Sequence, residues 1–374
     1  MNILHFGKFY PPFNGGMEIY LRDLAEQQSQ KHTVTALVHN HNFKSIKSIS
    51  LEQTINHVHV IRQQTLKPIL FTPIMLGANK TVSKLIDNNK VDVIHISWPN
   101  PSALFLLLNK KAKSKPWVIQ WQSDMVTQHS SWLLKLAYKF FKPFEKILLK
   151  RASLIIASTH EYFRHSIALK DFKEKCHFVP LALKQKTQIC DKIDQKWAQE
   201  MWGNAEYKVY NIGRLTFYKN QQILIQAARL LPDAKFIITG SGELEQKLKQ
   251  QIISLGVNNI ILTGGLDKNK LTALLNCCDV FCLPSNDRAE SYGMVLLEAL
   301  ELNKKILVSD LFGSGMKWIA SQTPLGMTFE NNNCKDLVEK IKLCSSINKT
   351  AFDNSVFQIE NCADSIEHLY QTVV

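Results

Sequence analysis

Short apolar runs alternate with longer amphipathic stretches along most of the chain, and this alternation limits the possible folds more than any other feature. Runs such as Asn2–Phe6 and Trp117–Trp121 have the length and composition of buried strands, whereas Gly16–Gln30 and Ile74–Asn88 have helical spacing. Strands that alternate with helices form right-handed β-α-β crossovers and a parallel sheet. The sequence therefore predicts an α/β fold.

The predicted strands form two series, separated by a polar stretch at 182–206 that shows no strand pattern. The first series is Asn2–Phe6, Thr33–Val38, His57–Ile61, Val91–Ser97, Trp117–Trp121, Leu154–Ala157 and His177–Val179. The second series is Lys208–Ile212, Lys235–Thr239, Asn259–Leu262, Val280–Leu283, Lys305–Val308 and Met327–Phe329. A chain of 374 residues exceeds the usual size of one hydrophobic core. We therefore expect two Rossmann-like domains, 1–185 and 186–349, that face each other across a cleft. A helical segment at 350–374 follows and is expected to pack back on the first domain.

The first predicted domain carries all of the excess positive charge. Residues 1–185 contain 25 Lys and Arg against 11 Asp and Glu, whereas the rest of the chain contains 20 against 21. Such asymmetry indicates a polyanionic partner, either a nucleic acid or an anionic membrane surface. The N-terminal sequence has no signal-peptide pattern, no apolar run is long enough to span a membrane, and the eight cysteines are scattered. These features predict a cytoplasmic protein.

A basic, aromatic stretch at 132–151 has helical spacing. Its lysines share one stripe of the helix: Lys135, Lys139, Lys142, Lys146 and Lys150. Large apolar residues lie nearby, and Pro143 predicts a kink or a split. An interfacial helix on an anionic leaflet and a soluble helix with a solvated lysine face both fit this pattern, and the charge of the domain favours the membrane. Nucleic-acid binding is discounted because no module with base-stacking aromatics is present.

Two glycine-containing turns follow predicted strands. Gly15 and Gly16 precede a predicted helix, where free amides can bind an anion, although an ordinary turn has the same pattern. Gly240 and Gly242 fit either close approach to a nucleotide or a tight turn. They resemble part of a dinucleotide fingerprint, but Glu245 stands where the third glycine is needed.

Charged residues follow two strands of the second series. Arg214 and Lys219 lie beyond the strand that ends at Ile212, where they can grip a diphosphate or simply be solvated. Glu290 precedes a predicted helix and Glu298 lies within it. Such carboxylates can accept hydrogen bonds from sugar hydroxyls, or can serve as a helix cap and a solvent-facing residue.

Five segments, in this order, resemble the pattern of family 4 (group 1) retaining glycosyltransferases of GT-B fold. They are Gly15-Gly16, Gly213-Arg214-Leu215 with Lys219, Gly240-Ser241-Gly242, Glu290 to Glu298 with Gly293 between them, and Asp310-Leu311-Phe312-Gly313-Ser314-Gly315. The resemblance covers nearly the whole chain. It implies that Arg214 and Lys219 neutralise the donor diphosphate. It also implies that Glu290 binds the transferred sugar and that Glu298 binds the ribose.

The resemblance also implies roles for backbone groups. The amides around Ser291, Tyr292 and Gly293 would hold the sugar and the phosphates, and Gly16 would let its backbone approach a phosphate. The family needs no bound metal, and the sequence contains no Asp-x-Asp. The cations at 214 and 219 can do the charge work that a metal does elsewhere.

One position departs from the family pattern. Gln122 and Asp124 follow a strand of the first series at a place where the family commonly has a histidine near the reacting centre. Glutamine can donate or accept a hydrogen bond but cannot carry a proton at neutral pH, so activity can be slower or directed to another acceptor. Asp124 fits equally a polar group near the acceptor and a helix N-cap.

The resemblance implies transfer of a hexose, such as mannose, glucose or galactose, from a UDP- or GDP-sugar with retention of configuration. The expected acceptor is a lipid-linked saccharide or a lipopolysaccharide or polysaccharide precursor, and the expected location is the inner face of the cytoplasmic membrane. Gln122 motivates one alternative, a non-catalytic nucleotide-sugar-binding protein. The pattern Gly240-x-Gly242 motivates another, a nicotinamide oxidoreductase.

Overall fold

The computed structural model describes residues 1–13, 15–40, 51–69, 72–125, 131–185, 191–346 and 353–374. The chain divides into two units. Unit 1 comprises Met1–Lys184 and Ser355–Val374, and unit 2 comprises Gln185–Asn354. The C-terminal segment therefore belongs to the first unit, which confirms that it packs back on the first predicted domain.

An eight-stranded sheet forms the centre of unit 1. The strands of this sheet are β1 (Asn2–Phe6), β2 (Thr33–His39), β3 (Leu51–Ile55), β4 (Val58–Gln63), β7 (Val93–Trp98), β8 (Trp117–Trp121), β9 (Leu154–Ala157) and β10 (Cys176–Phe178). The strands β5 (Thr65–Ile69) and β6 (Thr72–Met75) belong to a separate hairpin. The order across the sheet is β10-β9-β8-β7-β1-β2-β4-β3, and β3 pairs with β4 in antiparallel orientation. The other described pairs of this sheet are parallel, and β5 and β6 form the separate hairpin.

The helices of unit 1 cover both faces of this sheet. In the first part of the chain they are α1 (Gly16–Gln28), α2 (Ala78–Asp87), α3 (Lys110–Lys113), α4 (Trp132–Arg151) and α5 (His160–His165). Alternate strand residues face opposite sides. Ile94, Ile96 and Trp98 of β7 join one large apolar core, while His95 points to the other face.

Unit 2 is a doubly wound α/β unit. Its strands are β11 (Tyr207–Ile212), β12 (Ala234–Thr239), β13 (Ile260–Gly264), β14 (Val280–Leu283), β15 (Lys305–Ser309) and β16 (Gly326–Phe329). Its helices are α6 (Lys192–Trp202), α7 (Gln222–Leu230), α8 (Glu245–Ser254), α9 (Lys268–Cys277), α10 (Met294–Glu301), α11 (Met316–Ser321) and α12 (Cys334–Ser346). The described strands pair in parallel in the order β13-β12-β11-β14-β15-β16, so the direction of winding reverses between β11 and β14.

The last helix, α13 (Ile359–Gln371), returns to unit 1 and packs beside α1 through buried polar groups. Tyr370 Oη lies 2.6 Å from His95 Nδ1, and Tyr20 Oη lies 3.5 Å from Cys362 Sγ. A parallel bridge between Leu183 and Gln358 joins the two ends of unit 1. These contacts explain why a segment that follows unit 2 in sequence belongs to unit 1.

The polar stretch at 182–206 contains a helix that the sequence did not indicate, α6, because Ala198 and Trp202 give this polar helix a buried face that packs on α9. One local expectation was wrong. The predicted helix at 74–88 begins later, since β6 occupies its first residues. Of the kink or split predicted at Pro143, the split does not occur, because α4 continues through Pro143 from Trp132 to Arg151.

Candidate functional site

The carboxyl ends of β11 and β14 bring together the loops that carry the predicted cations and acids of unit 2. Winding reverses between these two strands, and such a reversal opens the crevice in which doubly wound sheets bind ligands. The loop after β11 contains Arg214 and Lys219, and the loop after β14 contains Glu290. The backbone N–H of Asn286 donates to the carbonyl of Tyr218 over 2.9 Å, which joins the two loops directly.

Lys219 and Glu290 form a buried ion pair in these loops. The Lys219 ammonium contacts Glu290 Oε2, and both side chains are only 11% exposed. Ser285 Oγ donates to the same carboxylate oxygen over 3.2 Å. Burial alone would lower the pKa of Lys219, but the charge of Glu290, Tyr218 and the hydrogen bond to Glu290 together outweigh burial, and the pKa is raised. Lys219 therefore keeps its positive charge beside Glu290.

Arg214 lies in the same loop in a looser ion pair. Its Nε is 4.0 Å from Glu243 Oε2, and both side chains are more than half exposed. Glu243 also accepts a hydrogen bond from Thr216 Oγ1, which lowers the pKa of its carboxyl. An exposed pair of this kind contributes at most about 1 kcal/mol, so Arg214 can exchange Glu243 for a diphosphate at small cost.

Tyr218 links these charges electrostatically. Burial raises the pKa of its phenol, and the carboxylates of Glu290 and Glu243 raise it further, while Lys219 and Arg214 act in the opposite direction. All four charged groups therefore act on one side chain. The structure places Lys219 and Glu290 in contact, with Arg214 within electrostatic range of the same tyrosine.

Glycines bring the loops after β11 and β12 into backbone contact. A Cβ atom on Gly240 would lie 1.9 Å from the carbonyl oxygen of Gly213, and one on Gly242 would lie 2.3 Å from that of Leu215. The N–H of Leu215 also donates to the carbonyl of Ser241 over 3.0 Å. Both glycines are thus required for loop packing, and their contact with a nucleotide stays a prediction.

The loop after β15 fixes the loop after β14. Ser314 Oγ donates to the carbonyl of Glu290 over 2.6 Å, and the N–H of Gly315 donates to the carbonyl of Ser291 over 2.8 Å. Gly293 is the N-cap of α10 with a φ of 89°, a left-handed value that favours glycine. The backbone around Ser291 and Gly293 is therefore held in one conformation at the start of a helix.

Tyr292 and Glu298 differ in their surroundings. Tyr292 is buried, with its ring centroid 6.3 Å from that of Trp318, so its side chain belongs to the packing of unit 2. Any contribution of Tyr292 to ligand binding would come from its backbone. Glu298 lies half-buried on α10. Ribose binding by Glu298 stays a prediction.

In unit 1, Gly15 and Gly16 begin α1, and Glu18 covers this helix start. A Cβ atom on Gly15 would lie 2.2 Å from Glu18 Oε2. Glu18 is buried, and that burial raises the pKa of its carboxyl. A carboxylate in the first turn is stabilised by the helix dipole, as a bound anion would be. A phosphate at this turn would therefore share the helix start with Glu18.

Gln122 is buried directly after β8. Neither its Oε1 nor its Nε2 has a partner among the described residues. Ser158 lies beside Gln122, because it follows β9 and Ala157 of β9 pairs with Trp121 of β8. The hydroxyl of Ser158 is also buried and has no hydrogen-bond partner among the described residues. Unpaired buried polar groups cost about 1–3 kcal/mol each, which makes both side chains candidates for contact with a ligand. The sequence did not indicate Ser158, because one serine after a strand forms no motif.

Asp124 is held by unit 1 itself. Its Oδ1 accepts hydrogen bonds from Trp121 Nε1 over 3.1 Å and from Ser166 Oγ over 2.7 Å. The N-cap of α4 is Ser131, whose side chain accepts from the N–H of Leu134, so the interpretation of Asp124 as a helix cap was wrong. A direct role near the acceptor stays a prediction.

Replacing Gln122 by methionine, which has a similar shape, tests whether the amide is retained for function. We expect the free energy of unfolding to rise by about 1 kcal/mol, because two unpaired polar atoms leave the interior, while sugar transfer falls. Denaturant unfolding and transfer assays measure the two effects. A loss of stability with unchanged transfer would show that the amide is part of the packing.

Helix α4 has one buried face and one exposed apolar face. Glu145, Leu148 and Leu149 are buried on its inner side. At about 100° per residue, six exposed apolar side chains occupy an arc of roughly 120°. They are Trp132, Leu133, Leu136, Phe140, Phe144 and Ile147, which we call the outer face of α4. The lysine stripe of 135–150 borders this face.

The described part of the chain contains no helix long and apolar enough to cross a membrane. It also contains no group of three or more His, Cys, Asp or Glu side chains placed to hold a metal ion.

Comparison with known proteins assigns both halves of the chain. Residues 14–183 match the model of the Glycosyltransferase Family 4, and residues 193–352 match the model of the Glycosyl transferases group 1. The O-antigen chain mannosyltransferase C of Escherichia coli is 25% identical over 100% of this chain and 99% of its own. The D-rhamnosyltransferase WbpZ of Pseudomonas aeruginosa is 25% identical over 70% of this chain and 66% of its own.

Solved structures share the fold over the whole chain. The sucrose-phosphate synthase of Thermosynechococcus elongatus superposes with a TM-score of 0.73 at 16% identity, covering 99% of this chain and 98% of that one. Anabaena Alr3699/HepE, solved in complex with UDP and glucose, has a TM-score of 0.67 at 18% identity, with coverages of 99% and 96%. The mixed α/β fold with parallel sheets is thereby confirmed. The two family models and these relatives show that the chain belongs to the group 1 glycosyltransferases of GT-B fold.

Proposed function

We propose that this glycosyltransferase transfers a hexose from a UDP- or GDP-sugar to a saccharide or lipid-linked acceptor, with retention of anomeric configuration. The observation that carries the proposal is the buried Lys219–Glu290 pair at the reversal of strand order in unit 2. A cation next to a carboxylate can bind the two parts of a sugar diphosphate, because the phosphates are negatively charged and the sugar hydroxyls are hydrogen-bond donors. Lys219 would bind the diphosphate, and Glu290 would accept hydrogen bonds from sugar hydroxyls.

The proposed reaction needs charge stabilisation at the leaving group. The bond from the anomeric carbon to the diphosphate oxygen breaks, and its electron pair passes to that oxygen. The acceptor oxygen forms the new bond on the same face of the sugar, and its proton passes to the departing diphosphate. Lys219 and Arg214 stabilise the developing negative charge, so the reaction proceeds without a metal ion. Gln122 would contribute a hydrogen bond but no proton.

The relatives support a role in polysaccharide biosynthesis. One is named an O-antigen chain mannosyltransferase and another a D-rhamnosyltransferase. A structural neighbour was solved with UDP-glucose. Incubation of the purified protein with UDP- and GDP-hexoses and a membrane extract tests the proposal. We expect consumption of one nucleotide sugar and a product of retained configuration. If no nucleotide sugar is consumed or hydrolysed but UDP or GDP binds, the non-catalytic alternative replaces ours.

We also propose that unit 1 binds the inner face of the cytoplasmic membrane through α4. The outer face of α4 exposes Phe140 by 74% and Trp132 by 75%, and the adjacent lysines complement anionic headgroups. An acceptor carried on a lipid would then be presented at the surface to which the enzyme is bound. The excess positive charge of residues 1–185 acts in the same direction.

Substituting Phe140→Ser should weaken binding to phosphatidylglycerol vesicles roughly tenfold or more, because one large apolar side chain no longer enters the interface. Lys139→Glu should weaken it as well, and more strongly at low salt. Vesicle co-sedimentation measures both effects. Lys247→Glu is the matched control: it reverses the charge of an exposed lysine on α8 of unit 2 and should leave vesicle binding unchanged. Equal binding of all three variants and the parent protein would exclude α4 as the membrane contact.

A further inference from the structure

The carboxamide of Asn332 ties together the two loops that carry Lys219 and Glu290. Asn332 lies in the loop after β16, and its Oδ1 accepts hydrogen bonds from Asn220 Nδ2 over 3.1 Å and from Asn286 Nδ2 over 3.2 Å. Asn220 is the residue after Lys219, and Asn286 belongs to the loop that contains Glu290. One oxygen atom thus bridges the loop after β11 and the loop after β14.

Two of the three asparagines at this bridge also have a left-handed backbone conformation. Asn332 has a φ of 62° and Asn220 a φ of 54°, both in the left-handed region, which asparagine and glycine tolerate best. Neighbouring contacts also anchor the loop after β16, because the N–H of Asn331 donates to Asp310 Oδ1 over 2.8 Å. The bridging oxygen is therefore presented from an anchored loop.

From these contacts we propose that Asn332 is a positioning residue for nucleotide-sugar binding: its carboxamide oxygen holds the loops of Lys219 and Glu290 at the spacing that the donor diphosphate and sugar require. This inference rests on the proposed function of that pair. Asn332 does not touch the pair itself and acts through Asn220 and Asn286. Without the bridge, Lys219 and Glu290 would remain attracted, but their loops would sample other separations.

Two substitutions separate the oxygen from the backbone conformation. Asn332→Gly keeps the left-handed backbone and removes the acceptor, whereas Asn332→Asp keeps an acceptor oxygen and tolerates the same backbone. For Asn332→Gly we expect a roughly 3- to 10-fold loss of UDP or GDP affinity by calorimetry, from the loss of two partly exposed hydrogen bonds. For Asn332→Asp we expect affinity within about twofold of the parent. Equal losses in both variants would overturn the proposal.

A double-mutant cycle tests whether the effect passes through Lys219. In a Lys219→Ala background, Asn332→Gly should cause no further loss of nucleotide affinity, because the group that it positions is gone. A loss as large as in the parent background would show a different cause and reject the positioning role.

A spectroscopic measurement separates this proposal from the proposed function. NMR of protein labelled at lysine Cε, with the Lys219 signal assigned from Lys219→Arg, reports the environment of the ammonium without any ligand. Asn332→Gly should shift this signal, whereas in Asn332→Asp the signal should stay close to its position in the parent protein. If the parent protein binds no nucleotide, the proposed function fails while this readout still decides the positioning role. An unshifted signal in Asn332→Gly overturns that role.

Discussion

Substituting Glu290→Gln should reduce sugar transfer at least a hundredfold while strengthening the binding of free UDP or GDP about tenfold. The two effects have opposite signs because Glu290 is the counter-ion of Lys219 when no donor is bound. Without the carboxylate, Lys219 is a buried cation that lacks its partner, and a diphosphate supplies the missing negative charge. Transfer falls because the sugar loses a charged acceptor that holds it in the transition state.

Calorimetric titration with UDP and GDP and initial-rate assays measure these effects in the same preparation. Glu339→Gln removes an exposed carboxylate from α12 of unit 2 and is the matched control. Lys219→Ala should weaken nucleotide binding roughly 5- to 150-fold, in line with ~1–3 kcal/mol for a charged hydrogen bond, and Arg214→Ala should weaken it in the same sense. Unchanged transfer in Glu290→Gln, or weaker nucleotide binding there, would be incompatible with the assigned roles.

Acid should unfold unit 1 at a higher pH than unit 2. All 12 histidines of the chain lie in unit 1, and of those that the structure describes, His5, His39 and His95 are buried. Burial lowers the pKa of His5 and of His39 to about 4, and it lowers that of His95 well below its ordinary value. His5 pairs with Gln28 Oε1 at 2.7 Å, so the α1–α13 side of the sheet depends on neutral imidazoles.

These lowered pKa values make unit 1 less stable as the pH falls. A histidine with a lowered pKa favours the neutral form in the fold, so the unfolded chain binds the proton first as pH falls below 6.5. His5 alone removes about 3 kcal/mol between pH 6.5 and 4, or roughly 10 °C in the melting temperature of a unit of this size. Calorimetry across this range should show one transition falling steeply and the other changing little.

Limited pepsin digestion at pH 4.5 should identify the weakened part, with cleavage in residues 1–184 preceding cleavage in 185–354. His5→Gln should flatten the dependence on pH, whereas His368→Gln, which removes an exposed histidine of α13, should leave it unchanged. Parallel loss of both units, or earlier cleavage in unit 2, would contradict the assignment of acid sensitivity to these imidazoles.

The order of elements was readable from the sequence because buried parallel strands are short, apolar runs. Most strands of both sheets were located in this way, and the reversal at β11 and β14 follows from the usual winding of such units. The strand β3 was missed because it is exposed at a sheet edge and lacks an apolar pattern. The helix α6 was missed because only Ala198 and Trp202 bury its surface.

The sequence predicted those site residues that are charged and follow a strand. It did not predict which side chains contact each other in the folded protein. Arg214, Lys219 and Glu290 were found from their positions after strands. The contact between Lys219 and Glu290, and the cover of Gly15 by Glu18, depend on loop conformations that no local pattern encodes. Nothing in the sequence indicated the bridge at Asn332 either, because one of its hydrogen bonds joins Asn220 and Asn332, which lie more than a hundred positions apart.

A structure of the protein with UDP or GDP bound would test the central claim most directly, since that claim concerns where the diphosphate lies. We predict a diphosphate oxygen within about 3.2 Å of Lys219 Nζ, with Glu290 turned toward the position of the sugar. A nucleotide bound elsewhere, with Lys219 and Glu290 still paired only to each other, would contradict the account.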